Sequence, residues 1–176
     1  WVENLDADDQ LEPGAVEALA SAVCEHPSAG FAVGRARDLL PDGRLVEHDL
    51  PVRPGPQPRG ALPAAWLDRP ADDGRYRLPV HPAGVLWHRL LVVHLGGWSA
   101  LFGMEDTGLL MAASAAAEGV VVDTPTLRYR KHPRQLSASA QRADFDGGRD
   151  HISLVRQRVE QLRCAPAWLP PGRAEL

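Results

Sequence analysis

Cysteine, aromatic side chains and any excess of positive charge are scarce in this 176-residue chain. Cys24 and Cys164 are the only cysteines and lie far apart. They form no C-x-x-C pair and indicate neither a disulfide framework nor a thiolate metal cluster, and the reading favoured is two free thiols buried as small hydrophobes. No apolar run is long enough to cross a bilayer: Ala83 to Leu95 is interrupted by His88, Arg89 and His94. Nineteen basic residues against 23 acidic ones give a net charge of −4, so there is no basic footprint for nucleic acid or an anionic membrane. Among the bases Lys131 is the only lysine, a bias without functional content. What remains is 44% hydrophobic and 6% aromatic, the profile of a globular domain with one core.

Strand and helix patterns mix along the chain, which makes the class α/β or α+β. Pro13 to Val23 reads as a helix with proline in its first turn and Val16, Leu19 and Val23 on one face. Phe31–Leu40 and Leu45–Leu50 read as strands joined by a turn at Pro41-Asp42-Gly43. Residues 51–75 are proline-rich without periodicity and read as a long surface loop. Arg77–Leu95 is apolar enough to be buried, with helix and strand indistinguishable by pattern, and Gly96-Gly97 forces a turn. Thr107–Glu118 is an alanine-rich helix stopped by Gly119. Strand-like segments follow around Pro125, and Ile152, Val155, Val159 and Leu162 mark an amphipathic helix with an arginine-rich outer face.

Three clusters carry chemistry. In Leu5-Asp6-Ala7-Asp8-Asp9, three neighbouring carboxylates repel one another unless something positive sits among them. At a strand end Asp6 and Asp8 face the same way, towards a hydrated divalent cation; the alternative is an acidic cap on the following helix. An EF-hand loop from Asp6 fails because Leu11 stands where glycine is required. A metal-dependent phosphatase of the haloacid-dehalogenase type also uses Asp-x-Asp, but polar Glu3 and Asn4 precede the motif here. In Gly96-Gly97-Trp98 … Gly103-Met104-Glu105-Asp106-Thr107, a carboxylate pair opens a helix. The helix dipole lowers its proton affinity while mutual repulsion raises one member; capping by Asp106 or Thr107 is the alternative. Tyr129-Arg130-Lys131-His132 gathers basic groups and a histidine at a strand end, suited to a diphosphate and its metal. His26, His48, His81, His88, His94 and His151 are read as structural.

The order of these clusters resembles the GT-A fold, family 2 glycosyltransferases: Asp-Ala-Asp-Asp with Leu-x-Pro-Gly-Ala, then Gly-Gly-Trp, then Glu-Asp, then Pro125-Thr-Leu-Arg-Tyr129-Arg130-Lys131-His132 with Ser137 and Ser139 trailing. The resemblance covers residues 1 to about 140, apart from 50–80. It implies a partial GT-A (Rossmann-like) fold, a mixed sheet flanked by helices. Asp8 and His132 would ligate Mn²⁺ or Mg²⁺, and Asp6, Asp9, Arg130 and Lys131 would contact the donor. Asp106 would be the general base with Glu105 orienting, and Gly97 and Trp98 would form the acceptor or sugar wall. The implied partners are a UDP-, GDP- or dTDP-sugar and a saccharide or other hydroxyl acceptor. The implied setting is the cytoplasm, or the periphery of a membrane.

Family members carry nucleotide-binding strands before the Asp-x-Asp, whereas five residues precede Asp6 here. The expectation is that residues 1–145 form the C-terminal portion of such a domain and 146–176 a helix and tail, folding poorly in isolation. The alternative from another class is a catalytically silent interaction module that keeps the acidic cluster as a cap.

Overall fold

The computed structural model describes residues 1–68, 78–135 and 148–171. Its centre is a pair of long strands, β3 (Ala29–Leu39) and β7 (Glu118–Arg130), which run parallel. Five short strands pair antiparallel around them: β1 (Val2–Glu3), β2 (Gln10–Leu11), β4 (Leu45–Glu47), β5 (Gly55–Gln57) and β6 (Val85–Trp87). The backbone order is β1-β6-β3-β7-β2, with β4 on β3 and β5 on β7. This is an α/β architecture with a mixed, curled sheet.

Side-chain alternation splits the core in two. Ala29 and Ala32 of β3, Leu86 of β6 and Val120 of β7 face α1 (Ala15–Glu25) through Leu19, Ala22 and Val23. On the opposite face Phe31, Val33, Val85, Trp87 and Val121 meet the other helices: α2 (Ala61–Leu67), α3 (Arg89–His94), α4 (Glu105–Ala116) and α5 (Gly148–Cys164). Val155 and Val159 of α5 belong to this same core, so the C-terminal helix packs as part of it. The buried stripe of α1 differs from the pattern read above: Ala15 takes the inward place and Val16 is exposed. The helix starts after Gly14, so Pro13 precedes the first turn.

Four further expectations are corrected. The proline-rich stretch is not one loop: it carries β5 and α2, and Leu62, Pro63 and Trp66 are buried; residues 69–77 lie outside the described residues. Pro63 is tolerated because the first four N–H groups of a helix have no intrahelical partner, and Pro56 stands in an edge strand. Gly119 does not stop a helix but lies inside β7, where a Cβ would come 2.2 Å from the Phe31 ring. The segments flanking Pro125 are one strand, with the proline at a register irregularity opposite Arg35, where a missing ladder donor costs little. Both cysteines are exposed, Cys24 on the outer side of α1 and Cys164 at the end of α5.

The segment before α2 also closes α4. The Gly60 N–H donates to the Ser114 carbonyl, Arg59 donates to the Ala115, Leu162 and Ala165 carbonyls, and the Trp168 N–H reaches the Ala116 carbonyl. The C-terminal carbonyls of α4, otherwise orphaned, are thereby satisfied. Among the described residues no helix is long and apolar enough to cross a membrane.

Candidate functional site

A cleft of about 380 Å³ opens between the chain's first residues and the start of α4, a volume in the range of small-molecule sites. Its charged lining is Asp6, Asp8, Glu105 and Asp106. The acidic cluster is not the extended strand end that its spacing suggested. The Asp9 N–H donates to the Asp6 carbonyl at 3.0 Å, closing a tight turn after β1. The turn still presents Asp6 and Asp8 to the cleft while Asp9 is buried beneath them.

The end of β7 staples this turn. The Arg130 N–H donates to Asp9 Oδ1 at 2.9 Å, and the Arg130 guanidinium donates through Nε to the Asp8 carbonyl at 2.7 Å. His132 Nε2 lies 2.8 Å from Asp8 Oδ2. The Arg134 N–H points at His132 Nδ1, which makes Nε2 the protonated nitrogen of the neutral ring. The His132 hydrogen bond holds Asp8 below the ordinary carboxylate range. Burial raises Asp6, with the charges of Asp8 and Glu105 adding to it. Burial pushes Asp9 to about 6 against the opposing pull of its Arg130 bond.

Across the cleft α4 begins at Glu105 with Met104 as its N-cap. Asp106 and Thr107 therefore sit in the first turn and do not cap it, contrary to the capping alternative. Asp106 is raised, first by burial and then by the nearby charges of Asp6 and Glu105. The Trp98 indole N–H donates to Asp106 Oδ1 at 2.6 Å and works against that rise. Glu105 Oε2 is buried without a hydrogen-bond partner. Gly97 and Trp98 do not line the cleft; Gly103 does, and Trp98 reaches the site only through Asp106.

Between the two walls lie Leu78, His81 and Pro82, to which no sequence cluster pointed, with Thr107, Tyr129 and Gln135 from the clusters themselves or just beyond them. The His81 ring packs on Tyr129 with centroids 4.4 Å apart, its Nδ1 accepts the Ala83 N–H, and burial lowers its pKa to about 4. It is a neutral wall at physiological pH. Gln135 bridges the Arg130 carbonyl and the His132 N–H, fixing the bend that carries His132. Tyr129 was legible as part of the strand-end cluster, but no periodicity ties His81 to it. Lys131 turns to Asp38 at 3.4 Å and over the Tyr129 ring, not into the cleft. Ser137 and Ser139 lie outside the described residues.

Among the described residues no three histidine, cysteine, aspartate or glutamate side chains converge as a metal-holding group. Asp8, which lines the cleft, and His132, which does not, are the pair that could hold an ion there, though their hydrogen bond points Nε2 at Asp8 Oδ2 and both side chains would have to turn to share it. With bonds of about 2.1 Å adjacent ligands of an octahedral ion lie about 3 Å apart, and magnesium is commonly held by one or two protein groups with phosphate and water completing the shell. A cation there has to displace the Nε2 proton of His132. No family model matches the chain, and no curated protein is significantly similar to it in sequence.

Proposed function

We propose that the chain carries the reacting centre of an inverting, metal-dependent glycosyltransferase that moves a sugar from a nucleotide-sugar donor to an acceptor hydroxyl. The observation that carries this reading is a single cleft whose charged lining is four carboxylates in contrasting environments. Pairs of titratable groups pushed in opposite directions mark the division of labour in acid–base sites. A diphosphate meets only negative charge in this lining, so its entry requires a compensating cation.

Asp8 and His132 would hold that cation against the donor, with Arg130 keeping their turn in register through Asp8 and Asp9. Bound there, Mn²⁺ or Mg²⁺ supplies neutralisation of the charge that develops on the departing diphosphate. Asp6, between the two walls, would meet the ribose or the hydrated side of the donor. Asp106 would take the proton of the attacking hydroxyl, for which its raised proton affinity suits it, and Glu105 would orient the acceptor. The neutral His81–Tyr129 stack keeps the middle of the cleft free of competing charge. With the donor gripped on one wall and the base on the other, attack comes from the face opposite the leaving group and inverts the anomeric carbon. Lys131 and Arg130 are engaged with Asp38 and with the acidic turn, so phosphate binding is assigned to the cation.

The test is transfer from nucleotide sugars in the presence of Mn²⁺, followed by chromatography of the released nucleoside diphosphate. Metal-dependent release that requires an acceptor hydroxyl supports the reading. Turnover of a phosphomonoester without acceptor would support the phosphatase instead.

A further inference from the structure

The loop between α3 and α4 is tied down more firmly than its glycine content suggests. The Gly96 N–H donates to the Val93 carbonyl and the Gly97 N–H to the Val92 carbonyl, with Gly96 at φ 78°. That is a Schellman closure of α3, which needs a left-handed residue where glycine stands. Beyond Trp98, Leu101 N–H returns to the Ser99 carbonyl and Met104 N–H to the Leu101 carbonyl. The two flanks of Trp98 are then gripped from outside the loop. Arg158 of α5 donates through Nη1 to Ser99 Oγ at 2.6 Å and through Nη2 to the Leu95 carbonyl at 2.5 Å. The indole so placed has an exposed ring, yet its N–H meets Asp106 Oδ1 at 2.6 Å. Among the described residues this is the hydrogen bond that Asp106 accepts from a side chain.

We propose that Trp98 is a positioning residue for the Asp106 carboxylate, and that Arg158 of the C-terminal helix anchors the loop that presents it. The inference rests on the reading of Asp106 as the base. A planar N–H fixed at one carboxylate oxygen selects the side-chain rotamer and leaves the second oxygen to meet the acceptor hydroxyl. Geometry of this kind is where small displacements are costly, up to about 100-fold in rate for a misplacement near 1 Å. It also makes α5 part of the catalytic apparatus, though none of its residues lines the cleft.

The bond is read without any turnover by the indole N–H resonance of Trp98 in ¹H–¹⁵N spectra of the full chain, assigned among the five tryptophans by its loss in Trp98→Phe. It should move with pH as the carboxylate titrates, with its midpoint above the ordinary aspartate value because burial raises Asp106, and stop moving in Asp106→Asn. In transfer assays Trp98→Phe should lower kcat by about 10- to 100-fold, leave the donor KM unchanged and shift the acid limb of the kcat profile to higher pH. Arg158→Met should give a smaller change in the same direction. A resonance indifferent to pH, or one that still titrates in Asp106→Asn, overturns the proposal whatever the activity. So does Trp98→Phe with wild-type kcat and an unmoved acid limb. A wild-type chain that transfers no sugar while the resonance titrates overturns the functional reading and supports the bond.

Discussion

On one wall of the cleft the Asp8 carboxylate meets the His132 ring at 2.8 Å and is held below its ordinary range. On the other, Asp106 is desolvated at the start of α4, repelled by Asp6 and Glu105, and raised. Burial, with like charge from Asp6 and Glu105, outweighs the opposing pull of the Trp98 hydrogen bond. The same side chain is thus prepared for two tasks. An ionised carboxylate beside an imidazole suits a cation, and a carboxylate with raised proton affinity suits a proton. The difference arises from the partner each wall supplies, a basic ring from the end of β7 against a neutral indole from the α3–α4 loop.

The sharpest way to break this contrast is at the base. Asp106→Asn keeps the shape and the acceptor for Trp98 but cannot take a proton, so kcat should fall by roughly 10²–10⁴-fold with the donor KM nearly unchanged. Normal transfer by this variant would remove the base assignment. On the other wall, His132→Ala should raise the Mn²⁺ concentration for half-maximal transfer by about 10-fold or more, and an unchanged metal dependence would count against His132. Gly119→Ala asks whether both walls depend on the β3–β7 pairing beneath them. Its Cβ would meet the Phe31 ring at 2.2 Å, and overpacking of this kind costs about 3 kcal/mol, or about 10 °C in the unfolding midpoint for a chain of this size. A midpoint equal to wild type would contradict the packing described.

The smallest effect concerns the wall between the two. His81 has a pKa of about 4 when folded against an ordinary 6.5. The unfolded chain therefore binds the extra proton in this interval, and stability falls as pH drops from about 6.5 towards about 4. In His81→Asn the urea midpoint should vary less over that window than in wild type, and equal slopes would show that His81 is not desolvated.

The acidic turn, the Glu-Asp start of α4 and the Tyr-Arg-x-His strand end were all legible in the sequence because each is a short local cluster of chemically distinctive groups. Their convergence followed only from the family resemblance and not from any local pattern, since the segments after β1, before α4 and after β7 lie far apart in sequence. Local geometry was partly hidden as well: the Asp6–Asp9 hydrogen bond turns an apparent strand end into a turn. β5 and α2 were unreadable because three residues paired at an edge and one short helix with Pro63 inside leave no periodicity. His81 was read as structural because only its contact with Tyr129 reveals it as a cleft wall. Cys24 and Cys164 were misplaced because their surroundings, not their type, decide burial.

The most direct test of the account is calorimetry of a nucleoside diphosphate binding in the presence and absence of Mn²⁺, on wild type, Asp8→Ala and Asp106→Asn. The account predicts a Mn²⁺-dependent heat that disappears in Asp8→Ala and persists in Asp106→Asn. No Mn²⁺-dependent heat in the wild type, or an equal loss in both variants, would contradict it.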